Sequence, residues 1–204
     1  MRKKISLFLT VIGAVLLLGT LLLILYNYLD ARRATRDAES LSAALEIAIE
    51  RRRTETEEPS DTTDPQDSPG AQSERLPVAD VDGYGCVGFI GIPRLDLKLP
   101  IMSEWDYDRL RIAPCRQFGY TREDDLVIAG HNYKGHFGRL KELECGDAVV
   151  FTDMDGNVRT FAVSLTEILA PGDLDYVRNC GHALVLYTCT SDGGARFAVF
   201  CDEE

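Results

Sequence analysis

The chain has 204 residues, 45 % of them hydrophobic, with 33 acidic against 22 basic side chains and a formal net charge of −11. That balance argues against nucleic acid as a partner, because phosphate binding needs clustered cations, and an acidic exterior speaks chiefly for solubility. The first third does not read like a folded domain, so one modest domain is expected in the C-terminal two thirds.

Residues 5–29 contain no charge and are rich in Leu, Ile and Val. Such a run is long enough to cross a bilayer, since ~20 apolar helical residues span the ~30 Å hydrocarbon layer. Arg2, Lys3 and Lys4 precede it as in a signal peptide, but a cleaved signal has an apolar region of ~7 to 15 residues and a small-residue cleavage site. Here the run is longer and ends in Asp30-Ala31-Arg32-Arg33. Residues 1–30 therefore read as a cytoplasmic tip and an uncleaved single-pass anchor. Arg32, Arg33 and Arg36 answer the leading cations, so charge leaves the orientation open.

Residues 31–53 place Leu41, Ala44, Leu45 and Ala48 on one helix face. This reads as a helical stem continuing from the membrane, or as a dimerisation face. Between positions 54 and 73 there are six acids, three prolines and no base. The stretch 54–76 is expected to be a disordered linker that buries no core, with a reach of roughly 25 Å.

Residues 77–204 have the texture of short strands, with candidates at 88–92, 95–99, 126–129, 148–151, 158–163, 165–169, 183–188 and 197–200. Asp155-Gly156 between two of them is a hairpin signal. Brief helical pieces are expected near 106–110 and 137–143. A mainly β fold in the form of a closed or nearly closed barrel follows. The six cysteines form neither a CxxC nor a CxxH pair, which argues against a structural zinc site; no metal or cofactor is expected.

With three histidines in the chain, the search for a general base is short. His131 follows the apolar run Leu126-Val127-Ile128-Ala129 and Gly130, just past a strand end where a side chain is held yet exposed. His136 and His182 read as surface or capping residues. Cys189 ends Ala183-Leu184-Val185-Leu186-Tyr187-Thr188, and the loop Thr190-Ser191-Asp192-Gly193-Gly194 follows. A rim thiol becomes a nucleophile when an imidazolium or guanidinium stands beside it. An antiparallel hairpin would return Arg196 to Cys189, where a cation stabilises an acyl-transfer oxyanion.

His131-Asn132 after one strand, Thr188-Cys189 after another and Arg196 seven positions on resemble the sortase family. Gly88-Phe89-Ile90-Gly91-Ile92-Pro93, Leu99-Pro100-Ile101 and Phe137-Gly138-Arg139-Leu140 also look like sortase segments, in the family's order. The resemblance covers about residues 85–200. It implies an eight-stranded barrel with short helices, an N-terminal signal anchor and an extracellular catalytic domain on the cell membrane. It also implies a cysteine transpeptidase that cleaves a Leu-Pro-x-Thr-Gly-like sorting signal of surface proteins and passes the acyl group to a cell-wall or pilin amine. Cys189 would be the nucleophile, His131 the acid and base, and Arg196 the positioner of substrate and oxyanion, with Asn132 and Thr188 binding substrate. Gly130-His131-Asn132 and Thr188-Cys189-Thr190 look like class B, but the stretch 169–183 is short for that class's helical insertion. No Asp-Pro-Trp or Asp-Pro-Phe lid motif of pilin-polymerising sortases is present. Two rivals stand beside this reading: another Cys/His acyl-transfer enzyme of the cell wall, and a non-catalytic membrane-tethered binding domain with paired cysteines.

Overall fold

The computed structural model describes residues 2–57, 75–121 and 125–203. Its strands are β1 Ala79–Val81, β2 Tyr84–Ile92, β3 Leu97–Met102, β4 Cys115–Phe118, β5 Leu126–Ala129, β6 Ala148–Asp153, β7 Val158–Leu169, β8 Leu184–Cys189 and β9 Arg196–Glu203. The α-helices are α1 Arg2–Glu57, α2 Tyr107–Leu110 and α3 Leu174–Arg178. The sheet runs β1-β2-β3-β4-β5-β8-β9-β7-β6 and closes through β2 and β6. Eight strands thus make the expected barrel, and β1 is appended to β2.

Closure depends on Gly88. Its φ is +144°, and a Cβ there would come within 1.9 Å of the Thr152 carbonyl oxygen on β6, so no residue with a side chain fits. The two strands expected at 158–163 and 165–169 are one, β7, whose register against β9 shifts between Val163 and Leu165. A bulge keeps the strand continuous while resetting the alternation that had suggested a break. The strand expected from Leu95 begins at Leu97, because Pro93–Leu95 forms a 3-10 turn capped by Asp96 at φ 49°. β4 escapes a reading by alternation, with Arg116 and Gln117 at its centre.

β5 and β8 lie side by side, parallel, in the wall of the barrel. Leu126, Ile128, Leu184 and Leu186 point into the barrel core, while Val127, Ala129, Val185 and Tyr187 pack outward under Leu169 of β7 and Val177 of α3. Burial on both faces is why these strands read as unbroken apolar runs. α3 is a five-residue helix, the only one in the stretch expected to be short.

Residues 34–204 form one compact unit and residues 1–33 another. In the second, α1 carries exposed Leu16, Leu17, Leu18, Leu21, Leu22 and Leu23, and α1 is long and apolar enough to cross a membrane. In the first, α1 buries Ala34, Ala38, Leu41, Leu45 and Ile49. Leu41, Leu45 and Ile49 pack against Phe89, Met102, Cys86 and Met154. The face expected to serve a free stem or a dimer is therefore covered by the barrel of the same chain. Residues 58–74 of the expected linker lie outside the described residues.

Candidate active site

In the antiparallel pair of β8 and β9, Cys189, the last residue of one strand, lies opposite Arg196, the first of the other. Side chains alternate across a strand. Tyr187, Ala198 and Phe200 belong to the outer cluster, whereas Leu186, Val199 and Cys201 belong to the barrel core. The alternation therefore brings Cys189 and Arg196 together on the outer face and turns Thr188 inward.

The six-residue loop 190–195 between them is stiffened by Thr190. Its N–H donates to the Ala195 carbonyl at 3.0 Å and its carbonyl accepts from Gly193 N–H at 2.8 Å. Its Oγ1 accepts from Ala195 N–H at 3.0 Å and donates to Asp192. Asp192 also accepts from Gly194 N–H at 3.1 Å, and these donors, Thr190 first, hold its carboxyl below the usual carboxylate range. Arg196 Nη1 donates to the Ala195 carbonyl at 3.0 Å, so the guanidinium sits at the mouth of the loop.

β5 delivers the histidine. Ala129 pairs with Tyr187, and Gly130 N–H donates to the Tyr187 carbonyl at 3.0 Å. Gly130 thus extends the pairing one residue beyond β5, and His131 follows it directly, past the end of the strand. Gly130 is required at this turn, because a Cβ would stand 2.4 Å from the ring of Phe137, which is fully buried. Tyr133 stacks on His131 with ring centroids 4.4 Å apart.

A cavity of about 130 Å³ opens beside the thiol, with Asn132, Phe137, Lys141, Thr188, Cys189 and Phe197 among its walls. The Thr188 Oγ1 is buried without a hydrogen-bond partner. Behind the thiol, Tyr187 donates its hydroxyl to Gln117, and burial pushes that hydroxyl up to about 12 although Arg196 pulls it the other way. A larger cavity of about 470 Å³ lies between α1 and Phe89, Lys98 and Thr152, with no histidine or cysteine among its walls. Among the described residues no group of three His, Cys, Asp or Glu side chains converges as a metal site.

All six cysteines are free thiols. Burial pushes Cys86, Cys115 and Cys201 up to about 12, which keeps them protonated and inert. Cys189 is half-buried and faces a guanidinium-bearing residue across the ladder.

This arrangement coincides with a family match: residues 90–204, more than half of the chain, fit the model of the sortase domain. The chain belongs to the sortase family. No curated protein matches it. Among solved structures it resembles the sortase D5 transpeptidase of Clostridium perfringens at 17 % identity and a TM-score of 0.56, with 83 % of this chain and 96 % of that one covered. Sortase C of Streptococcus pneumoniae gives 20 % identity and 0.56, covering 82 % and 95 %. Sortase A of Corynebacterium diphtheriae gives 18 % and 0.52, covering 87 % and 93 %. At these identities the likeness establishes the sortase fold.

Within the sortase barrel, the expected residues fall as follows. Cys189 and Arg196 are direct cross-strand partners, and Asn132, Thr188 and Cys189 share one cavity. His136, read as a surface or capping residue, is buried instead; burial pulls it down to about 4 and leaves it neutral. His182 is half-buried, with its Nδ1 2.9 Å from Asp202 Oδ1 at the opposite end of β8 from Cys189. Sequence reasoning missed Lys141 and Phe197 as cavity walls and Tyr133 as the ring on His131. Phe137 stood within a sortase-like segment, but an exposed lysine and a strand phenylalanine carry no signal that separates a site from a surface or a core.

Proposed function

We propose that this sortase is a membrane-anchored cysteine transpeptidase acting outside the cell, with Cys189, His131 and Arg196 as its chemical centre. The Cys189 thiolate attacks the threonyl carbonyl of a Leu-Pro-x-Thr-Gly-like sorting signal, forming a carbon–sulfur bond. The Thr–Gly amide bond breaks, and His131 gives a proton to the departing glycine amine. An amine of a cell-wall precursor or pilin then attacks the thioester, His131 takes the amine's proton, and the thiolate leaves. Arg196 donates to the oxyanion formed in each step, an interaction worth about 2.7 to 4 kcal/mol for one donor in a measured case. Asn132 and Thr188 hold the peptide, the Thr188 Oγ1 gaining the partner it lacks.

The observation that carries this reading is the opposition of Cys189 and Arg196 on the outer face of β8 and β9, beside the end of the strand that leads to His131. The free state of all six thiols favours it over a binding domain stapled by disulfides. The single long apolar helix supports the anchor. Streptococcus pneumoniae sortase C, with its pilin substrates, supports surface proteins as the substrate class.

The test is cleavage of a labelled sorting-signal peptide, with and without an added amine. The parent releases the glycine fragment and joins the amine to the threonine; Cys189→Ala does neither while keeping the parent's unfolding temperature. Cleavage by Cys189→Ala at the parent's rate contradicts the assignment.

A further inference from the structure

The segment from His131 to Gly138 holds two histidines and a tyrosine, and the proposed chemistry uses only His131. The Tyr133 ring lies nearly parallel to the His131 ring, at 4.4 Å and 11°. The Tyr133 ring also meets His136 edge to face, at 5.7 Å and 61°. His136 is 0 % exposed, and its Nε2 lies 3.4 Å from the Ala34 carbonyl oxygen of α1. One position earlier, Gly135 is so close to the helix that a Cβ would come within 2.3 Å of Thr35 Oγ1. The turn is also tied internally. The Tyr133 carbonyl accepts from His136 N–H at 3.0 Å and Gly138 N–H at 2.9 Å, and the His131 carbonyl accepts from Phe137 N–H at 3.1 Å. Contacts thus run from α1 through His136 and Tyr133 to His131.

Packing alone does not account for His136. Its Nδ1 is buried with no hydrogen bond of ordinary geometry; the Ile112 backbone still acts on the imidazole but offsets its burial only in part, a cost that an apolar side chain of similar size would not carry. The proton shuttle, in contrast, has a use for a fixed neighbour. An imidazole that gives a proton in one step and takes one in the next works only within hydrogen-bond reach of both partners, and a misplacement of about 1 Å costs on the order of 100-fold in rate. A ring stacked on one face, itself in edge-to-face contact with a buried neighbour, holds the imidazole to one plane.

We propose that Tyr133 and His136 are positioning residues for His131, and that Ala34 and Thr35 of α1 act on the shuttle through them. The proposal rests on His131 being the proton carrier. Turnover then depends on how the first turns of α1 within the barrel unit are seated.

The experiment uses the full chain in detergent and four variants. Tyr133→Leu keeps apolar bulk and loses the ring, whereas Tyr133→Phe keeps the ring. Expected is a fall in kcat of roughly tenfold or more for Tyr133→Leu with KM within about twofold of the parent, and near-parent kcat for Tyr133→Phe. Gly135→Ala drives a methyl into Thr35. It should lower kcat and move the ring-proton resonances of His131, and adding Thr35→Ala to the same chain, which removes the hydroxyl and methyl in its way, should return both toward the parent. Parent-like turnover in Tyr133→Leu, or unmoved His131 resonances in Gly135→Ala, overturns the proposal. If Gly135→Ala does not fold, the Tyr133 pair decides. The resonances are read without substrate, so a parent chain that cleaves no sorting-signal peptide contradicts the assigned function while the His131 spectra of Gly135→Ala and its Thr35→Ala rescue still decide whether α1 acts on His131.

Discussion

At Arg196 the chemistry asks for more than a positive charge. A guanidinium offers a planar fork of donors, and in this chain one of its nitrogens already donates to the Ala195 carbonyl at 3.0 Å; the ammonium of a lysine is a point charge without that spaced fork and replaces it poorly. Arg196→Lys should keep a Cys189 thiol that reacts with a small alkylating agent, yet lose at least ~10-fold in peptide cleavage, about 1.4 kcal/mol of transition-state stabilisation. Equal cleavage by the two chains would reduce Arg196 to a surface residue. His136 makes a separate prediction about stability. Burial holds its pKa at about 4 in the folded chain, against ~6.5 when unfolded. Above about pH 6.5 neither state is protonated and nothing is lost. As pH falls from about 6.5 to 4 the unfolded chain takes up a proton that the folded chain refuses, so stability drops, by roughly 3 kcal/mol at the lower end. Denaturant unfolding at pH 7 and pH 4 should show a larger loss for the parent than for His136→Leu; parallel losses would contradict a buried neutral His136. Cys189 and His131 are candidates legible in the sequence because each follows an apolar run, where a polar side chain is out of place, whereas Arg196 follows a polar loop and becomes a candidate only through the hairpin that returns it to Cys189 and through the family resemblance. His136 was illegible, since nothing in Gly135-His136-Phe137 tells that a helix about a hundred residues earlier will cover it.

α1 is the element in which pattern and environment part company. Leu41, Ala44, Leu45 and Ala48 announce an apolar face, but periodicity says only that the face is buried and never by what. Here β2 and β3 bury it, through Phe89 and Met102. Leu41, Leu45 and Ile49 each contribute roughly 1.5 to 3 kcal/mol when fully buried. A protease site engineered within residues 58–74 should therefore yield a nicked chain whose two fragments co-elute in detergent and part only in denaturant. Separation of the fragments after the cut alone would make residues 34–57 a spacer. The strands were legible to different degrees for a physical reason. β5 and β8 are walled on both faces and announce themselves by unbroken apolarity. β4 spends its central positions on Arg116, which is 5 % exposed and donates to the Ser103 carbonyl at 3.0 Å, so burial there is not written in apolar residues.

At the scale of the whole molecule, an apolar helix and a closed barrel belong to one chain, and the candidate site lies at the barrel's rim, where β8 ends, β9 begins and β5 leads to His131. Their order in sequence gave no hint that β5 and β8 are parallel neighbours, since the pairing is made across β6 and β7. The central claim is that acyl transfer runs through a thioester on Cys189. Intact mass measurement of the chain, quenched in acid after mixing with a sorting-signal peptide and no amine, tests it most directly. The account predicts a gain equal to the acyl fragment ending in threonine, located on the peptide that contains Cys189, removed by hydroxylamine and absent from Cys189→Ala. A parent chain that cleaves the peptide with no such adduct, or with the adduct on Cys145 or Cys180, would contradict it.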